Sequence, residues 1–87
     1  MSYEVEVAKE YLRDAFHSGA LDITGSYEAV RGFVQIFAGE VDALIAIGLC
    51  RFLEPSQIDE LMTLARPNTE SAEHYRRWRK RCDPIGR

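Results

Sequence analysis

Cysteine, histidine and proline are scarce in this 87-residue chain, at two, two and three residues. Cys50 and Cys82 stand alone, with no CxxC pair and no disulfide framework, so both thiols are expected free in a reduced, cytoplasmic setting. Together with His17 and His74 they lack the local ligand pairs from which zinc sites are built, and no metal or other cofactor is expected. There is no phosphate-cradling glycine loop, because Gly32 and Gly39 fall inside a helical pattern and not between a strand and a helix. No nucleophile is spaced with a base. The chain does not read as an enzyme.

A long uncharged apolar run is missing as well. The most apolar stretch, FVQIFAGEVDALIAIGL, carries Gln35, Glu40 and Asp42. An acidic residue at a bilayer centre costs about 2.5–3.5 kcal/mol, so this stretch belongs in a protein core and no membrane partner is expected. The opening MSYEVEVAKEYLRD alternates charged with apolar residues and has no apolar leader core, so it does not read as a signal peptide.

What is present is a globular composition, 46% apolar and 29% charged, in a chain long enough for one domain, residues 1–87. Such a domain buries only roughly 60% of the surface its unfolded chain exposes, so its core is small. The periodicity predicts an all-α fold, a small bundle of about four helices around a central hydrophobic helix. Helix one spans about 3–18, with Gly19 placed for a left-handed C′ position. Val5, Ala8, Tyr11, Leu12, Ala15 and Phe16 fall on its inner face, and Glu6, Lys9, Glu10, Arg13 and Asp14 on its outer face.

The pattern predicts a second helix over 27–47, ended by Gly48. Tyr27, Val30, Phe33, Val34, Phe37, Val41, Leu44 and Ile45 form a broad stripe, and the far side is small or apolar too. A helix apolar nearly all round must be covered on several sides. Gly32, Gly39, Ala43 and Ala46 would let another helix approach closely, either a neighbour in the same chain or a second copy in a homodimer. Glu40, between the two sides, is expected to meet an arginine or reach solvent rather than serve acid–base chemistry.

Pro55 opens helix three, about 55–66, whose core stripe is Ile58, Leu61, Met62 and Ala65. Helix four spans about 69–81, and residues 82–87 are expected to fray. A helix-turn-helix is excluded: the link from Gly48 to Glu54 is too long, and the would-be reading helix carries Asp59 and Glu60, which repel phosphates.

Charge is uneven along the chain. Met1–Arg66 holds eleven acidic residues against five basic ones, while Pro67–Arg87 holds six basic against three acidic. On helix four, Ala72, Tyr75, Trp78 and Cys82 form an apolar line, and Arg76, Arg77, Lys80 and Arg81 fan across the opposite side. Tyrosine, tryptophan and arginine are enriched at interface hot spots, which makes Tyr75, Arg76, Trp78, Arg79 and Lys80 the candidate contacts for a protein partner. Tyr75 and Trp78 also have a plainer role in closing the core. The alternative partner is a nucleic acid, with the cations on phosphates and Trp78 stacked on a base. The acidic balance of the whole chain, pI near 5.3, weighs against it.

The stretch ALIAIGLCRFLEPSQIDELMTLA, residues 43–65, resembles small accessory proteins of bacteriophages and other mobile elements. In those proteins a helix ending in Ala-x-Gly-Leu leads through a short loop into an Asp-Glu-Leu helix. The resemblance implies a role in a phage or plasmid setting, such as inhibition of a host defence complex by surface occlusion in the manner of anti-CRISPR proteins. It assigns no functional residue.

Overall fold

The computed structural model describes residues 2–23 and 25–82; of the stretch 82–87 expected to fray, Cys82 is helical and 83–87 lie outside the described residues. The described residues are all-helical: α1 (Ser2–Ser18), α2 (Tyr27–Ile36), α3 (Val41–Leu49), α4 (Pro55–Ala65) and α5 (Thr69–Cys82). Five helices therefore replace the expected four, because the stretch read as one helix over 27–47 is broken.

The break lies at Phe37–Glu40. Ser26 caps α2 with its hydroxyl, accepting from the Ala29 N–H at 3.4 Å. α2 buries Val30, Phe33 and Val34 and ends at Phe37. Gly39 then takes φ +87°, and Glu40 is extended (φ −109°, ψ 159°) before α3 begins. An unbroken 21-residue helix would be a rod about 31 Å long with apolar surface on every side. Folding it in two lets the halves cover each other, and α2 against α3 is the most extensive helix pair in the molecule. α4 and α5 cover the remaining sides of α3, where Asp42 through Ile47 are all buried.

The reversal is tied on both sides of Gly39. Its N–H donates to the Ala65 carbonyl at 2.7 Å, and its carbonyl accepts from Asn68 Nδ2 at 3.2 Å. Ala65 ends α4 and Asn68 caps α5, so two corners of the fold lock together. Asn68 Oδ1 accepts from the Ser71 N–H at 2.8 Å, while Ser71 Oγ accepts from the Asn68 N–H at 3.0 Å. This reciprocal pair leaves Ser71 satisfied although buried. α4 opens with Pro55 and a capping box between Glu54 and Gln57. It is bridged to α2 through Glu60, which accepts from Tyr27 Oη at 2.5 Å and pairs with Arg31 at 3.4 Å.

Three glycines expected to pack or to punctuate act differently. Gly39 is the left-handed turn residue, not part of a helical face. Gly32 lies in α2 with open space where a Cβ would be. Gly48 does not terminate a helix; it sits inside α3, where a Cβ would overlap the Tyr75 hydroxyl of α5. Ala43 and Ala46 are fully buried in the chain's own core. The four small residues proposed as a self-association face thus do not share one exposed surface.

These placements separate by substitution. Gly39→Ala forces an L side chain into the left-handed region and is expected to cost about 1 kcal/mol. Gly32→Ala is expected to gain up to about 1 kcal/mol from helix propensity. Thermal melts decide, because about 1 kcal/mol moves the midpoint of a domain this size by roughly 4–8 °C. Gly48→Ala should destabilise as well, and Tyr75→Phe should relieve it. A double-mutant cycle should show favourable coupling between the two, of about 1 kcal/mol.

Candidate protein-binding surface

α1 is attached differently from the other helices. It packs extensively along none of them. Its apolar inner face is buried only at its C-terminal end, where Phe16 meets Phe33 with ring centroids 4.6 Å apart. Gly19 ends the helix at φ +85°, and the Leu21 N–H returns to the Ala15 carbonyl at 3.0 Å.

The main attachment is ionic. Lys9, Arg13 and His17 recur every four residues, so they form one line on α1. Lys9 Nζ donates to Glu40 Oε2 at 2.7 Å, and Arg13 Nη2 to Glu40 Oε1 at 2.6 Å. Arg13 Nε donates to Asp42 Oδ2 at 3.1 Å, and His17 Nε2 lies 2.6 Å from Asp42 Oδ1. Glu10 also meets Arg13, at 3.2 Å. Asp42 is only 4% exposed, a burial that a carboxylate tolerates only when paired and hydrogen-bonded. Both acids stand at the start of α3, where the helix dipole favours negative charge.

For Arg13, burial pushes the pKa down, but hydrogen bonds and charge from Asp42 and Glu40 more than offset this, and the guanidinium is held above its usual value. Lys9 Nζ and Arg13 Cζ each lie 5.3 Å from the centroid of the Phe37 ring. Their alkyl stems thereby help to cover a fully buried phenylalanine.

This corrects part of the expected faces of α1: Leu12 and Phe16 face the core and Glu6, Glu10 and Asp14 are exposed as expected, but other positions differ. Lys9 and Arg13 point to the body, not to solvent, while Val5, Ala8 and Tyr11 are exposed. Tyr3 (76% exposed), Val7 (50%) and Tyr11 (74%) form a second line at four-residue spacing, while Val5 (56%) is exposed on the opposite side of the helix. Half of the large hydrophobic side chains exposed among the described residues lie on these nine positions. The signal was in the sequence, since Tyr3, Val7 and Tyr11 share a helical periodicity. It was masked by the stronger stripe ending in Leu12 and Phe16.

On α5, Tyr75 and Trp78 are half-buried against the core and stacked on each other, centroids 5.8 Å apart. Arg79 lies at 6.0 Å over the Tyr75 ring, and Arg76 and Lys80 are exposed. The five candidate contacts therefore share one helix but not one face. Arg76, Arg77, Lys80 and Arg81 project away from the core, and no ion pair to them exists among the described residues.

The remaining chemistry-bearing groups are spread out. A shallow cleft of about 220 Å³ is lined by Gly39, Glu40, Val41, Glu70, Ser71 and His74. Among the described residues no three His, Cys, Asp or Glu side chains are arranged to hold a metal ion. Cys50 donates its Sγ–H to the Ala46 carbonyl at 3.3 Å, and burial pushes its thiol pKa up, the opposite of an activated nucleophile. No helix of the described residues is long and apolar enough to cross a membrane. Comparison with protein-family models, with curated proteins and with solved structures finds no match.

Arg13 is the hub of the attachment. Arg13→Ala leaves Asp42 and Glu40 short of a counter-charge and is expected to cost about 2 kcal/mol, less than a fully buried pair because Arg13 and Glu40 are partly solvated. Urea unfolding measures the loss. Amide hydrogen exchange should locate it, with protection falling first in α1 and least in α3.

Proposed function

We propose that this chain is a small helical protein-binding module without catalytic function, which acts by covering a partner's surface. One observation carries the reading: α1 is anchored from its middle to its C-terminal end and presents Tyr3, Val7 and Tyr11 to solvent along one side. Contiguous exposed apolar residues of this kind mark interaction sites. An amphipathic helix laid into a partner's groove is recognised through anchors at this spacing. The exposed Arg76, Arg79 and Lys80 of α5, beside the half-buried Tyr75 and Trp78, offer a second, divided contact, with Arg79 at 6.0 Å over the Tyr75 ring. The resemblance of residues 43–65 to phage accessory proteins supports a cytoplasmic setting in which the partner is a host protein complex.

The alternative is nucleic-acid binding through α5, and the cations at 76, 77, 80 and 81, which form no ion pair among the described residues, favour it. Against it stands Trp78, which is partly buried against the core and stacked on Tyr75, so less of its ring is open to a base.

A triple substitution of Tyr3, Val7 and Tyr11 to serine tests the first reading. The variant should keep its far-ultraviolet circular dichroism, because none of the three supports the core. It should lose a protein partner captured by the wild type, with affinity falling roughly 30-fold or more for hot-spot tyrosines. An unchanged affinity rules α1 out. Binding that survives high salt separates a protein complex from phosphate contacts, which weaken steeply.

A further inference from the structure

We infer that the exposed face of α1 docks on the cationic face of α5 of a second copy of this chain; the inference rests on the reading of α1 as a protein-binding surface. The chemistry of α1 specifies its occupant. Tyr3, Val7 and Tyr11 run down the middle of the face, Glu4 flanks them on one side, and Glu6 and Glu10 flank them on the other. Among the described residues the one cation that reaches them is Arg13, which meets Glu10 from the body side at 3.2 Å; Lys9 and Arg13 are otherwise turned to the body and occupied by Glu40 and Asp42. A surface of tyrosine rings edged by carboxylates fits long cationic side chains, whose stems cover rings and whose heads reach acids.

α5 presents that complement. Arg76, Arg77, Lys80 and Arg81 are exposed on its outward side, opposite Ser71 and Trp78, and none has an acidic partner among the described residues. Even Glu73, four residues before Arg77, forms no ion pair with it. Cations over rings are already the chain's own mode of contact, with Arg79 on Tyr75 and Lys9 and Arg13 on Phe37. Within one chain α1 does not pack along α5.

Like-charge repulsion removes the other symmetric pairings. Two copies of α1 face to face would oppose Glu4, Glu6 and Glu10 with their own kind, and two copies of α5 would oppose their cations. Only α1 on α5 satisfies both faces, and a two-fold pair makes that contact twice. Each protomer then loses both faces to the interface. Tyr3 and Tyr11 alone bring roughly 300 Å² toward the roughly 800 Å² per partner that a stable pair buries.

Light scattering on a sizing column, with sedimentation velocity, tests this on the full chain at tens of micromolar. The wild type should show twice the 9.9 kDa chain mass at about 0.05 M salt and shift toward one chain mass at about 1 M. E4K/E6K should be monomeric, and so should R77E/K80E. An equimolar mixture of the two variants should restore the pair, since both contacts then match reversed with reversed and native with native. All four positions are exposed, so folding should be intact by circular dichroism; if the reversal on α5 disturbs its helix, R77Q/K80Q reads the same weakening. A monomeric wild type, a pair indifferent to either reversal, or a mixture that stays monomeric overturns the inference. If the wild type is monomeric yet the serine variant loses a captured partner, α1 remains a binding surface for another protein. If neither result appears, both readings fall.

Discussion

The Gly39 peptide, held between the Ala65 carbonyl and the Asn68 side chain, is the constraint on which the other contacts depend. Residues 27–49 carry more apolar surface than three short neighbours could cover on a straight rod. The reversal solves this by making the segment its own partner. It also brings the end of α4 and the start of α5 to one corner, so α3 is enclosed by both. Hydrophobic burial supplies the driving force, at about 1.5–3 kcal/mol for each large side chain removed from water. The two hydrogen bonds at Gly39 decide the geometry in which that burial is achieved.

The same reversal creates the charged site that receives α1. It places Glu40 and Asp42 at a helix start, one of them buried, and so obliges the fold to bring cations to them. Arg13 and Lys9 answer from α1, and their stems close over Phe37. In this way one charge network replaces the apolar seam that normally joins helices in small domains. α1 is therefore positioned by directed contacts near its middle and end, and its first two turns are left without a covering neighbour.

The helical class, the ends of α1 and the starts of α4 and α5 were legible in the sequence, because Gly19, Pro55 and Asn68 carry local backbone chemistry. The break at Gly39 was not, although Phe-Ala-Gly-Glu contains a left-handed glycine followed by an acidic helix start. The apolar pattern runs through it uninterrupted, and periodicity alone cannot tell a long buried helix from two short ones folded together. On α1 the places of Lys9, Arg13, Val5, Ala8 and Tyr11 were missed for a related reason. A charged residue at helical spacing reads as solvated until a buried carboxylate elsewhere claims it, and Asp42 lies nearly thirty residues from Arg13. Glu40 was expected to meet an arginine or reach solvent; it meets Arg13, which its position in the sequence could not identify. On α5 the split between an inward aromatic line and an outward cationic fan followed from spacing. That no acidic side chain among the described residues pairs with that fan is a tertiary fact.

The division of labour between α3 and α1 bears on how this molecule can change. In α3 six consecutive side chains are committed to the interior, and even Gly48 is reserved for the approach of a tyrosine. Almost any replacement there is a folding defect. The first turns of α1 carry no such commitment, so Tyr3, Val5, Val7 and Tyr11 can be exchanged without disturbing the body that presents them. Those positions can drift in sequence while the scaffold stays as it is.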